Sequence, residues 1–281
     1  MLPVYHGGAM RNPGWLVAVL LVAAVPTLVG GEPVRVTVRP GGVARWQGEG
    51  TTACRSGNRI WEPLGATCYF PVDLEATGTI PVERVRGGVS EHAVLVVGRY
   101  PYPQQHLQVD DRMVRLSKAD LERTRRESAQ VERLWALETR PRFTLPLAAP
   151  LPVTVEGGNF GARRVFNGEP RSPHSGVDYK VAAGTPVLAV APGRVVLVGD
   201  HFFAGKSVYV DHGGGLISMV FHLSRVLVEE GQAVATGQVL GKVGATGRAT
   251  GPHLHLGFRW HGARVDPALL LGGDAAFAVI R

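Results

Sequence analysis

Short apolar runs of alternating character, cut by Gly and Pro, dominate the chain on either side of one charged stretch. In the first half, Val34-Arg-Val-Thr-Val38 and the runs at 43–46, 67–72 and 92–97 are rich in β-branched and aromatic residues and read as strands. They predict a small β-rich, sandwich-like domain over residues 32–115. Ser117-Lys-Ala-Asp120 resembles a capping box, and residues 121–137 follow with helical character but few apolar positions. That pattern predicts a connecting helix within 116–141, solvated or laid on one domain. The Pro-rich tract 139–152 then marks a boundary. Beyond it, residues 187–191, 194–198, 207–210, 216–221 and 239–243 form further β runs, so 142–281 is predicted as an antiparallel β domain. The fold class is therefore mainly β.

The segment Pro252-His-Leu-His-Leu-Gly-Phe-Arg-Trp260 has the period of a half-buried strand. Side chains two apart share a face, so His253 and His255 point together while Leu254, Leu256 and Phe258 turn towards a core. Upstream, His174-Ser-Gly-Val-Asp178 contains Gly176 and the β-branched Val177, which argue for a turn running into a strand. Between them lies Phe221-His222-Leu223. Histidine nitrogens and an Asp oxygen are zinc ligands, and a hydrolytic site uses three of them and keeps one position open to water. These histidines and Asp178 can supply such a set, with imidazole left over for proton transfer. The chain has ten histidines. His92, His106 and His261 lack a partner at ligand spacing and read as surface or packing residues. His201 and His212 adjoin Gly-rich text and read as turn residues.

Several blocks in this half resemble the lysostaphin-type zinc metallopeptidases, endopeptidases that cut peptide cross-links in bacterial peptidoglycan. They are Phe160-Gly-Ala-Arg-Arg, His174-Ser-Gly-Val-Asp178, Gly184-Thr-Pro-Val, Pro192-Gly-Arg-Val, Asp211-His-Gly-Gly-Gly-Leu, Phe221-His-Leu-Ser and Gly244-Ala-Thr-Gly-Arg-Ala-Thr-Gly-Pro-His-Leu-His255. The resemblance spans roughly residues 143–271. It implies His174, Asp178 and His255 as Zn2+ ligands, with His222 and His253 as catalytic histidines beside the metal. It also implies peptidoglycan stem peptides or cross-links as the substrate. The family usually carries Tyr two residues before the central His; Val220 stands there, which is expected to alter a wall of the substrate groove.

Charge and cysteine content add the compartment. The formal net charge is +7, yet no zinc-finger spacing or aromatic-basic motif suggests nucleic acid. Arg11 followed by an apolar run at 14–29 and then Gly30-Gly31 reads as a signal peptide over 1–31, or else an N-terminal anchor, the only membrane contact expected. Cys54 and Cys68 are the two cysteines, and in an exported chain such a pair suggests one disulfide. The expected location is the periplasm or cell envelope. Two other readings compete with this one. A swinging-arm carrier fails because no Lys occupies a Met-Lys or Asp-Lys hairpin tip. A catalytically inactive wall-binding or hydrolase-activating protein on the same fold would have lost ligands, whereas every ligand position here is filled.

Overall fold

The computed structural model describes residues 32–273 and 276–281, and residues 33–281 form one compact unit. The apolar run at 14–29 lies outside the described residues. Among those described, no helix is long and apolar enough to cross a membrane.

The chain is mainly β, as its alternating pattern predicts. Its first half builds a five-stranded sheet facing a three-stranded one. Val38, Trp46, Phe70, Val82 and Leu95 fill the space between them. The strand Val34–Val38 runs parallel to Val89–Val97, which pairs with Thr79–Arg86. In the smaller sheet, Val43–Gln47 lies between Thr67–Pro71 and Ala278–Val279, so the C-terminal strand closes this sandwich. Cys54 and Cys68 are fully buried and disulfide-bonded, with Cα atoms 5.6 Å apart. The bond ties one sheet to the other.

Helix α1 (Lys118–Glu132) begins where the capping text places it, with the Ser117 hydroxyl accepting the Asp120 N–H. Its exposed middle matches the sparse apolar pattern. The apolar residues sit at its end and in the following 3-10 turn, where Val131, Leu134, Trp135 and Leu137 pack on Leu197, Tyr209, Ile217 and Met219.

The last part is a ten-stranded sheet. Its centre runs Gly193–His201, Gly205–Asp211, Leu216–Val226, Leu254–Trp260, Gly176–Tyr179, each antiparallel to the next. Leu254, Leu256 and Phe258 are fully buried on one face, as the period-2 pattern requires. The opposite face carries the polar residues. A separate three-stranded sheet pairs Gln104–Leu107 in parallel with Arg163–Phe166, placing a strand from the first half beside that face.

The disulfide closes a short loop of sequence separation 14. A chain-entropy estimate gives about 3 kcal/mol for such a loop. A Cys54→Ala/Cys68→Ala variant is expected to lose about 2–4 kcal/mol in denaturant unfolding. An unchanged unfolding midpoint would remove the disulfide from the stability account.

Candidate active site

Strand pairing brings the first residues together. Gly176–Tyr179 runs antiparallel to Leu254–Trp260 with Asp178 opposite His255, so both project onto the same face. His174 enters from the turn before this strand. Its backbone N–H bonds the Ala162 carbonyl at 2.9 Å, and its Nδ1 lies 2.8 Å from the Asn159 carbonyl. A carbonyl only accepts, so Nδ1 carries the proton and Nε2 presents a lone pair.

Three donor atoms then converge. His174 Nε2 lies 3.0 Å from Asp178 Oδ1 and 2.9 Å from His255 Nδ1, which is itself 2.9 Å from Asp178 Oδ1. Burial, the largest influence, pushes His174 down to about 4, so it is neutral at pH 7. Burial raises Asp178, but the imidazoles packed against it outweigh this and hold it ionised, well below the usual carboxylate range. No proton is available between the His174 lone pair and the Asp178 carboxylate. A shared cation satisfies all three atoms. The edge of a tetrahedron with ~2.0–2.1 Å bonds is about 3.3–3.4 Å, so the triangle seats such an ion once its edges open by roughly 0.4 Å. Arg164 fixes the remaining carboxylate oxygen, donating Nη2 to Asp178 Oδ2 at 3.0 Å.

His222 and His253 lie alongside without joining the triangle. His253 Nε2 is 3.8 Å from Asp178 Oδ1, and the His222 and His253 rings have centroids 4.7 Å apart. Each directs Nδ1 at a carbonyl, His222 at Thr246 (2.8 Å) and His253 at Gly251 (2.9 Å). Both therefore hold the proton on Nδ1 and leave Nε2 as a free acceptor. Burial, the largest influence, pushes His222 down to about 3. Its backbone is left-handed, φ 63°, at a β-bulge where Leu216–Val226 slips against Gly205–Asp211. The bulge turns the imidazole onto the polar face, a recognised use of such irregularities.

Two open pockets meet at His222. One, about 220 Å³, is lined by His174, Phe203, Phe221 and His255 among others. The second, about 370 Å³, is lined by Gln105, Phe166, Asp178, Lys180 and His253 among others. Phe221 stacks on the His255 ring at 5.0 Å. Val220 does not line either pocket. It packs in the core with Leu254 and Leu256, so the groove wall is set by Phe221 and not, as the sequence suggested, by residue 220.

The five residues singled out from sequence all lie at this place. Reading motifs did not reveal the roles of Arg164, Asn159 and Thr246, because a carbonyl or guanidinium partner depends on tertiary contact; only the Phe160–Arg164 block hinted at the first. His201 and His212 also differ from the turn-residue reading. His212 is fully buried, with Nδ1 donating to the Pro192 carbonyl at 2.9 Å and Nε2 accepting from the Ser218 hydroxyl at 2.8 Å. His201 is buried against Ser207 and Tyr209.

A family model described as Peptidase family M23 matches residues 172–267. A crystal structure from Pseudomonas aeruginosa assigned to peptidase M23 is 34% identical, with a TM-score of 0.66 over 87% of this chain and 97% of that one. The chain belongs to the M23 peptidase family. Among curated M23 relatives, peptidoglycan DD-endopeptidase ShyA of Vibrio cholerae is 44% identical over 34% of this chain and 23% of its own length. Peptidoglycan DD-endopeptidase ShyC of the same organism is 38% identical over 43% of this chain and 28% of its own. The matched stretch thus spans about a quarter of the length of these relatives.

Two expectations follow. Metal analysis of the purified protein should find about one ion per chain, lost in His174→Ala and Asp178→Ala but kept in His222→Ala and His253→Ala. Loss of the ion in His253→Ala with retention in His255→Ala would reverse the assignment on that strand. The second concerns acid stability. Burial, the largest influence, holds folded His212 below its ordinary value of ~6.5. Below about pH 6.5 the unfolded chain takes up a proton that the folded imidazole resists, so stability falls with falling pH. Urea unfolding should show a smaller loss from pH 7.5 to 5.5 in His212→Asn than in the parent; equal losses would remove His212 as a cause.

Proposed function

We propose that this M23 peptidase is an exported zinc endopeptidase that hydrolyses peptide cross-links in bacterial peptidoglycan, working in the periplasm or cell envelope. The observation that carries the reading is the triangle of His174, Asp178 and His255 with two further imidazoles beside it, lining two pockets that meet at His222. The names of the V. cholerae relatives support the substrate, and the buried disulfide and the apolar run at 14–29 support export. Two imidazoles and one carboxylate, with a fourth position left for water, suit zinc.

Zinc held by these residues would supply a Lewis acid and bring the pKa of water to about 7. The protein's own groups do the rest. Asp178 and Arg164 hold the site's charge in place. The free Nε2 of His222 or His253 is placed to take the proton of the attacking water and return it to the leaving amine. Once protonated, the same imidazole stabilises the oxyanion of the tetrahedral intermediate. The Thr246 and Gly251 carbonyls fix each ring's tautomer and orientation, the usual task of such partners. No covalent nucleophile is needed.

Digestion of purified peptidoglycan, read by product mass, tests this. The zinc-loaded protein should convert cross-linked peptides to uncross-linked stems, and a chelator should stop it. His222→Ala and His253→Ala should each lower the rate on the order of 100-fold or more while keeping metal. Binding to sacculi without any change in product masses would instead identify an inactive wall-binding protein.

A further inference from the structure

Among the described residues, no carboxylate forms an ion pair with Arg248. Its guanidinium lies between two rings, 4.5 Å from the Phe166 centroid and 4.3 Å from that of Phe203. The charges that act on it are those of Arg164 and Arg171, both positive. Burial, helped by those charges, pulls it down to about 10, so it stays protonated at neutral pH. Arg164, the neighbouring guanidinium, is already bonded to Asp178.

Leaving a cation half-buried without a counter-ion is unfavourable, and contact with two aromatic faces offsets only part of the cost. Both contacts set the guanidinium carbon over a ring, where its charge meets the ring quadrupole. The guanidinium N–H donors lie along its edges, which is the geometry for bidentate contact with a planar carboxylate. Arg248 lines both pockets that meet at His222. The larger pocket also carries Lys180 and Arg164, and its only carboxylate is Asp178, which is engaged by Arg164 and two imidazoles. Its net field is positive beside the reacting centre.

The rings that hold Arg248 are themselves fixed. Phe166 stands on the strand Arg163–Phe166, paired with Gln104–Leu107 from the first half of the chain. Phe203 stands at a hairpin tip clamped by α1. Glu127 accepts the Phe202 N–H at 2.9 Å and Arg123 donates to the Asp200 carbonyl at 2.6 Å. The Arg248 backbone N–H closes the set on the Phe203 carbonyl at 2.8 Å. The guanidinium is pre-positioned before substrate arrives, which spares the ordering cost of a flexible surface arginine.

We propose that Arg248, assisted by Lys180, is the specificity determinant for a free carboxylate on the substrate peptide, one not consumed in a peptide bond and carried within a few residues of the cleaved amide. The inference rests on the endopeptidase reading above. Two sources share this chemistry: the C-terminal carboxylate of a stem peptide and the side carboxylate of a cross-linking diamino acid.

Three cross-linked peptides test it: one with both carboxylates free, one amidated at the C-terminus, one amidated at the side carboxylate. Hydrolysis gives kcat/KM for each, and calorimetry with non-hydrolysable analogues gives affinity, both with the zinc-loaded full chain. Amidation of the recognised carboxylate should weaken binding about 10–100-fold, the range of a charge-assisted bond; the peptide that loses affinity identifies the source. In Arg248→Gln, acid and amide forms should bind within about two-fold of each other, and Lys180→Gln should reduce the preference only a few-fold. Metal content and Tm check that Arg248→Gln is folded; if it is not, Arg248→Lys, which keeps charge but loses the fork, should narrow the preference. Equal affinity of the parent protein for all three peptides overturns the proposal, as does full discrimination by folded Arg248→Gln. If the parent hydrolyses none of them, the endopeptidase reading fails, while the affinity ratio still decides carboxylate recognition.

Discussion

The site depends on three lone-pair atoms held about 3 Å apart with no proton to share between His174 and Asp178. Such an arrangement is costly in a buried place unless a cation joins it, so the fold must hold it by force from outside. Several contacts do so. Asp178 and His255 are a register pair of adjacent strands. Asn159 and Ala162 grip His174 from the side chain and the backbone. Gly176 leaves room for the His255 ring: a Cβ there would stand 2.4 Å from the Leu256 carbonyl oxygen and 2.5 Å from His255 Nε2. Backbone cannot yield as a flexible side chain can, so even alanine at 176 pushes the ring or parts the two strands.

His222 shows the same logic at a single residue. A left-handed backbone is unfavourable for a non-glycine residue by about 1 kcal/mol or more. It persists because its surroundings over-determine it. The His222 N–H bonds the Ala204 carbonyl at 2.9 Å, and the ring Nδ1 bonds the Thr246 carbonyl. The Thr246 hydroxyl in turn donates to the Leu223 carbonyl at 2.8 Å and accepts the Lys206 N–H at 3.0 Å. Without the bulge, strict alternation along Leu216–Val226 would place residue 222 on the same face as the buried Val220.

That contrast marks what the sequence made legible. The two-residue period of 252–260 was enough to place His253 and His255 on one face over a leucine core, because that relation is local. The direction of His222 was not, since an inserted residue breaks the very period being read. The expected influence of Val220 on the groove failed for the same reason, as it lies on the core side of the irregularity. The strand Thr51–Ser56 is mostly polar, and Thr79–Arg86 contains Pro81, so neither stood out from turn text. The sandwich's closing strand, Ala278–Val279, is two residues long and lies some 230 positions from its partner Val43–Gln47; only tertiary pairing reveals it. Arg248 sat inside a recognisable Gly-rich block, yet its meaning comes from two phenylalanines distant in sequence.

The first half of the chain reaches the site through polar and aromatic contacts as much as through covalent connection. Asp73 receives two bonds from the Arg264 guanidinium, and Arg39 pairs with Asp266 at 2.7 Å. Tyr69 packs on Trp260, the last residue of the strand that begins beside His253. Tyr102 donates to the Pro40 carbonyl and stacks edge-on against Phe160, just after Asn159, whose carbonyl orients His174. The strand Gln104–Leu107 then supplies a wall of the larger pocket. A metal triangle needs only its two strands and a turn. A groove that positions a peptide needs walls, and the Gln104–Leu107 strand and the hairpin that α1 clamps supply part of them. The first half thus adds a wall to the pocket beside the metal-ligand triangle without supplying any of its three atoms.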